Sequence, residues 1–401
     1  MTACRAVNPL QNTPDIMRIL HGPVNVGNQP WCLSRAERAM GHTSDVVVNY
    51  GTWLGYPADR TLSEYASNTR GNRLRRSLFA LTAPFRYDVI HYYFGRSFML
   101  WDDFGRVLGR SEEEDRQALR DVHLAKRLRR TLIMTLQGCD ARQADVSNAS
   151  NVITMCKPDG CPAFAACITG IDVTRRAMIE RLLPLMDKVL YMNPELGHLV
   201  PTGSFMPYAN VDVEGQEVTP PNPGRRPRIV HAPSNGGIKG TPLVLAALER
   251  LKSRYDFELI LIENTPHAEA MKLYASADMA IDQVLAGWYG GFAVELMAMG
   301  KPVAAYIREE DRQFVSAAMW DEMPILRLDP RTLDDDLARI LAEPEKLVAQ
   351  GEQSRRYALR WHNPLRTARA LERIYRDPTA PFDLTRDFDK EPDRRPPAHG
   401  Q

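Results

Sequence analysis

Two clusters of residues combine glycine, charge and helix-start signals in a way that suits an anion. The first is Asn235-Gly236-Gly237-Ile238-Lys239-Gly240-Thr241, between a strand-like run at 228–231 and a helix-like one at 241–251. Glycines let the backbone turn sharply and expose N–H groups, a helix N-terminus adds partial positive charge, and Lys239 adds a full one. Such a loop fits a phosphate or diphosphate. The spacing to the lysine is not that of a Walker loop. The bland alternative is a flexible strand–helix turn carrying a solvated lysine.

The second cluster is Gly287-Trp288-Tyr289-Gly290-Gly291-Phe292-Ala293-Val294-Glu295, running on to Gly300-Lys301-Pro302. Gly290 and Gly291 would leave backbone donors at a helix start. Phe292, Leu296 and Met299 sit at helical spacing and are most simply core residues. Glu295 is harder to dismiss. A buried carboxylate without partners costs several kcal/mol, about 3 or more, so it must have some. A vicinal diol such as ribose would supply two hydrogen bonds at once.

These loops need strands before them and helices after them, and the pattern supplies both. Apolar runs at 17–21, 45–49, 88–92, 131–136, 188–192 and 204–207 read as buried parallel strands, continuous rather than alternating. A second series follows, with strands at 228–231, 257–263, 278–282 and 302–307 between helices at 241–251, 266–276 and 291–299. Thr241-Pro242 and Thr265-Pro266 place a hydroxyl before a proline, a helix-start signal. Terminal helices are expected at 333–350, broken before Pro344, and at 365–375. The fold class is therefore α/β, with two doubly wound Rossmann-like domains.

The expected organisation is an N-terminal extension at 1–16, a first domain at 17–212 and a proline-dense linker at 213–227. The second domain would span 228–355. A C-terminal helix at 356–376, with the option of crossing back to the first domain, and a disordered tail at 377–401 complete it.

The residues from 228 to 307 resemble the donor-binding half of family-four glycosyltransferases, through Lys239 and the Glu295-x-Met297-Ala298-x-Gly300-Lys301-Pro302-Val303 run. Asp88-Val89-Ile90-His91 and Met206-Pro207-Tyr208-Ala209-Asn210-Val211-Asp212 resemble segments of that family's first domain. The resemblance covers roughly residues 17–375. It implies the GT-B fold, two domains facing across a cleft, and transfer of a sugar from a nucleotide-sugar donor to a carbohydrate or other small acceptor. It further implies retention of configuration, no required cofactor or metal, and a place in polysaccharide assembly.

Residue by residue, Lys239 matches the lysine on the donor diphosphate and Glu295 the glutamate on the ribose. Gly237, Gly290, Gly291 and Phe292 complete the donor set. His91 is the further catalytic candidate, at a strand end expected to face the cleft. Asn25, Gly27, Asn28, Gln29 and Gln137 are the acceptor-side candidates. Three positions depart from the family pattern. The first glutamate of its E-x7-E pair falls on Gly287, its T-x-H-G histidine on Gln137, and an arginine ahead of the lysine on Pro233 or Ser234. An epimerase or phosphorylase of the same fold, or a silent binding protein, remains the alternative.

Composition sets the outer bounds. Of 401 residues, 51 are Lys or Arg and 50 Asp or Glu, a net +1 that argues against a nucleic-acid partner. The start carries no apolar signal segment, no run is long enough to span a bilayer, and six cysteines are too few for a disulfide scaffold, so a reducing cytoplasm is expected. Cys139, Cys156, Cys161 and Cys167 cluster, and four thiolates suit a structural zinc. Their x16, x4, x5 spacing is looser than paired C-x2-C knuckles, and ordinary buried thiols are favoured. The stretch 70–79, basic and then apolar, reads either as a solvated helix face or as peripheral contact with an anionic membrane.

Overall fold

The computed structural model describes residues 16–390 except 52–54, 64–68, 101–107, 109–110 and 225. The apolar runs form two parallel sheets. The first holds β1 (Arg18–Gly22), β2 (Thr43–Val48), β3 (Arg60–Thr61), β4 (Val89–Tyr93), β5 (Thr131–Leu136), β6 (Lys188–Tyr191) and β7 (Ser204–Phe205) in the order β3-β2-β1-β4-β5-β6-β7. The second holds β8 (Arg228–His231), β9 (Glu258–Leu261), β10 (Met279–Ile281), β11 (Val303–Ala305) and β12 (Leu326–Arg327) in the order β12-β11-β10-β8-β9. Ile19, Leu20, Ile133, Ile229, Val230 and Val303 are fully buried, as strands covered by helices on both faces require.

Strand order reverses between β1 and β4 in the first sheet and between β8 and β10 in the second. Ligands of doubly wound sheets bind beyond the carboxyl ends of the strands at such reversals. The loops there are the Asn25–Gln29 segment in one domain and the Lys239 and Gly290 loops in the other. Both sequence clusters thus sit where the topology opens a crevice.

The C-terminal helix Pro364–Arg376 packs on the first sheet. Leu371, Ile374 and Tyr375 join Ile19, Val89 and Ile133 in one core. The preceding helix runs Lys346–Trp361, well past the expected stop near 350. Residues 377–390, expected to be disordered, instead fold back. Leu384 is buried in the second domain's core, and the Phe388 ring lies 5.0 Å from that of Trp361. Residues 1–15 and 391–401 of the expected extension and tail lie outside the described residues.

His91 stands corrected here. It is fully buried within β4 and does not face the cleft. Its Nδ1 meets Tyr375 Oη at 2.9 Å and its Nε2 meets Thr135 Oγ1 at 2.7 Å. Tyr375 also donates to Glu37, which binds His21. The returning helix buries the strand end that would otherwise have been a cleft wall, so His91 ties that helix to the sheet.

Burial, with a smaller push from His21, holds His91 well below the ordinary histidine range. Burial likewise lowers His362 to about 4, against a pull upward from the Tyr208 carbonyl. Both are therefore neutral when folded, and the unfolded chain takes up protons first as pH falls. Stability is expected to be full above about pH 6.5 and to fall steadily towards pH 4. Urea melts across that range check this. A flat profile between pH 7 and 4.5 would contradict the assignment, and His362→Gln should flatten the parental slope.

Candidate active site at the domain cleft

The Lys239 loop is a single helical turn, Gly236–Lys239, capped by Asn235, whose Oδ1 accepts from Ile238 N at 3.1 Å. Gly240 follows at φ 76°, with Val284 in the space a Cβ would take, so only glycine fits. That turn delivers Lys239 across to β10. Its Nζ lies 2.8 Å from Asp282 Oδ1, and the carboxylate's other oxygen accepts from Gly290 N at 2.6 Å. A Cβ on Gly290 would sit 3.2 Å from the ammonium. Lysine, glycine N–H and the start of the helix Gly291–Ala298 therefore meet within the reach of one anion. Asp282, its side chain 1 % exposed, occupies the place of that anion.

Glu295 lies one turn into this helix and is buried. Its Oε1 meets His267 Nε2 at 2.8 Å, and that hydrogen bond raises the histidine above its usual range. Tyr56 of the first domain stacks edge-on against His267 with centroids 5.7 Å apart. Burial pushes the Cys32 thiol up to about 12, with smaller contributions from the charges of Asp212 and Glu295. Tyr56 of the first domain and Glu295 of the second thus both lie against His267. Phe292 packs edge-on against Tyr274 at 5.1 Å, a wall residue in keeping with its helical spacing.

Gly237 serves a different contact. A Cβ there would strike the carbonyl of Gly160, so a segment of the first domain rests directly on the lysine loop.

The acceptor-side candidates form a chain of amides, each oriented by a backbone group. Asn25 Nδ2 donates to Pro57 O at 2.9 Å, Asn28 Nδ2 to Asn210 O at 3.0 Å and Gln137 Nε2 to Val26 O at 3.1 Å. Gln29 Oε1 accepts from Ala209 N at 2.8 Å, and Asn210 Nδ2 donates to Gly291 O at 3.3 Å. The remaining atom of each amide, four carbonyl oxygens and the Gln29 Nε2, is buried without a partner. Buried polar atoms are normally satisfied, and such a concentration marks a place for waters or a ligand. Gly27, at φ 68°, has open space on its Cα.

Gly287, the position at which the resemblance expects a glutamate, has φ 78°. A Cβ there would lie 2.6 Å from Arg308 Nη1. Arg308 is buried, reaching Asp311 Oδ2 at 3.1 Å in its own domain, and Glu195 Oε2 at 3.3 Å and Ile153 O at 2.9 Å in the other. Arg142 Nε binds the other Glu195 oxygen at 2.6 Å. This ion cluster borders a cavity of about 480 Å³ between the domains, which Tyr306 and His198 also line.

The four clustered cysteines line one small void of about 20 Å³ with Arg142 and Arg175. Cys139 accepts from Arg142 Nη1 at 3.1 Å and Cys167 from Arg175 Nη1 at 3.3 Å. Among the described residues no group of three or more His, Cys, Asp or Glu is placed to hold a metal ion.

Asp282, His267, Asn210 and Arg308 were not singled out as site residues from sequence. Asp282 had a signal, an acid ending an apolar strand one loop ahead of a glycine pair. His267 opens the helix His267–Ser276; Thr265, expected as its cap, donates its hydroxyl to Glu263 O instead, and Pro266 takes the cap position.

No protein-family profile matches the chain, and no curated protein matches it by sequence. Solved structures do. Sucrose-phosphate synthase from Thermosynechococcus elongatus superposes with a TM-score of 0.58 at 14 % identity, over 90 % of this chain and 98 % of that one. Anabaena HepE, solved with UDP and glucose, gives 0.54 at 12 % over 89 % and 99 %. The catalytic domain of starch synthase IV from Arabidopsis thaliana, solved with ADP and acarbose, gives 0.54 at 12 % over 90 % and 99 %. Likeness at this level of identity is likeness of fold, and it closes the architectural question: two Rossmann-like domains facing across a cleft, the GT-B architecture of glycosyltransferases.

Proposed function

We propose that this protein is a glycosyltransferase that takes a sugar from a nucleoside-diphosphate donor and passes it to a neutral, hydroxyl-bearing acceptor. The observation that carries the reading is the convergence of Lys239 Nζ, Gly290 N and a helix N-terminus on one anion position, with buried Glu295 a turn away. The bound UDP and ADP of the structural neighbours support it.

As the glycosidic bond to the donor breaks, negative charge grows on the β-phosphate. Lys239 and the Gly290 N–H are pre-positioned to stabilise it. Asp282 keeps the ammonium in place beforehand and yields its two donors to the diphosphate. Glu295 holds the ribose, with His267 orienting its carboxylate. The unpaired amide oxygens of Asn25, Asn28, Gln137 and Asn210 accept from sugar hydroxyls, and Gln29 Nε2 donates to one. An uncharged set of this kind suits a neutral sugar. Retention of configuration is part of the proposal and rests on the family resemblance.

Incubation with UDP-, ADP- and GDP-sugars, read as nucleotide release and thermal shift, tests the reading. Stabilisation by none of them would overturn it, and a shift without release across acceptors would favour a silent binder. Glu295→Ala is expected to weaken UDP and ADP binding alike, by roughly tenfold or more, the worth of a hydrogen bond to a charged group. Calorimetry decides this. Unchanged affinity for both nucleotides would remove Glu295 from the ribose.

A further inference from the structure

The helix Arg70–Arg86 carries an apolar stripe that the fold does not use. Phe79, Ala80, Ala83 and Pro84 are buried against the first domain. Leu74, Leu78, Leu81 and Phe85 are 70, 61, 37 and 60 % exposed. Their spacing of four, three and four residues makes a single stripe. At about 100° per residue it spans only about 60° and points almost directly away from the buried face. Four large apolar side chains in one line on a surface differ from singly scattered ones and mark a contact.

The charge around the stripe says what the contact is. The helix contains five arginines and no acid. Arg70, Arg73, Arg75 and Arg86 are exposed. On the same angular count, at about 100° per residue, Arg70 and Arg73 flank one edge of the stripe and Arg75 and Arg86 the other. None of these four has a carboxylate partner among the described residues, and Arg75 donates only to the Leu62 carbonyl, at 3.3 Å. A protein interface buries such a stripe under apolar side chains and pairs its rim with acids. A second copy would instead bring these arginines against its own, with like charges opposed along both rims.

We propose that this face lies in the headgroup layer of an anionic bilayer. Leu74, Leu78, Leu81 and Phe85 enter between the acyl chains, and the four exposed arginines sit on lipid phosphates, the arrangement of an interfacial amphipathic helix. No described helix is long and apolar enough to cross a membrane, so the contact is peripheral. Tyr56, which touches His267 in the cleft, precedes this helix by a short connection through β3. The docked face therefore sits close in sequence to the catalytic crevice.

The test is co-sedimentation of the full chain with vesicles of phosphatidylglycerol and phosphatidylcholine, against phosphatidylcholine alone. Binding is expected to the anionic vesicles only, and to weaken as salt rises. Leu78→Ser with Phe85→Ser should lower partitioning about tenfold or more, and Arg73→Ser with Arg75→Ser should remove the preference for anionic lipid. All four positions are exposed, so thermal melts should stay at the parental temperature. No binding to anionic vesicles would overturn the proposal, as would binding untouched by both double variants. Parental chain that sediments as a dimer dissociated by the Leu78/Phe85 variant would overturn it in favour of self-association.

Discussion

Lys239→Ala is expected to lower turnover by about a hundredfold or more, the cost of removing a pre-positioned charge stabiliser, while donor affinity falls less. The split follows from where the charge appears. A donor diphosphate is anionic before and after bond cleavage, but the increment on its β-phosphate belongs to the transition state. A lysine whose side chain is only 13 % exposed acts on that increment with little screening by water. The same substitution strands Asp282, which would keep only the Gly290 N–H, so stability should fall too. Pairing Lys239→Ala with Asp282→Asn separates the effects. The double variant should recover stability and remain slow. Steady-state kinetics with a purified donor and acceptor, beside thermal melts, make the comparison. Full activity in Lys239→Ala would remove the lysine from the mechanism.

The architecture and the positions of both loops were legible because buried parallel strands announce themselves as apolar runs, with helix starts marked by Thr-Pro and glycine. Of the four edge strands, β7 and β9 showed as apolar runs and β3 and β12 did not. β3 and β12 have two residues each, and each includes an exposed arginine, so no apolar run marks them. The candidate site was legible where residue chemistry and turn geometry coincide, as at Lys239 and Gly290, which the fold brings together at Asp282. It was not where a partner comes from afar. His267 reaches Glu295 across 28 residues and Arg308 reaches Glu195 across 113, distances over which local spacing carries no information. His91 shows the same blindness from the other side. Its strand-end position suggests a cleft residue, and only Tyr375, 284 residues later, turns it into core. Gly287 is the instructive case. As sequence it is a missing carboxylate. In the fold it is the space that a buried guanidinium needs.

Removing that guanidinium is expected to have a large effect on stability. Arg308→Ala should destabilise the protein by about 3–5 kcal/mol, the range for a buried ion pair broken from one side. Three bonds are lost, two of them to the first domain, and Asp311 is left 1 % exposed with His198 Nε2 at 3.2 Å and the like charge of Glu195 nearby. Glu195 keeps Arg142, so the burden falls on Asp311. Burial already raises that carboxyl above the ordinary range against the opposing pull of Arg308. Without the cation it moves further up. A carboxyl raised in the folded state costs stability when ionised, and the cost is relieved as protons bind. The deficit of the variant relative to the parent should therefore be greatest at neutral pH and shrink as the pH falls. Arg308→Met, which keeps most of the side-chain volume, should show the same pH dependence with a smaller offset. Paired urea titrations of parent and variants at pH 7.5 and 5.5 measure both. A deficit below about 1 kcal/mol, the scale of an exposed surface pair, or one equal at the two pH values, would mean that the cluster does not clamp the two domains.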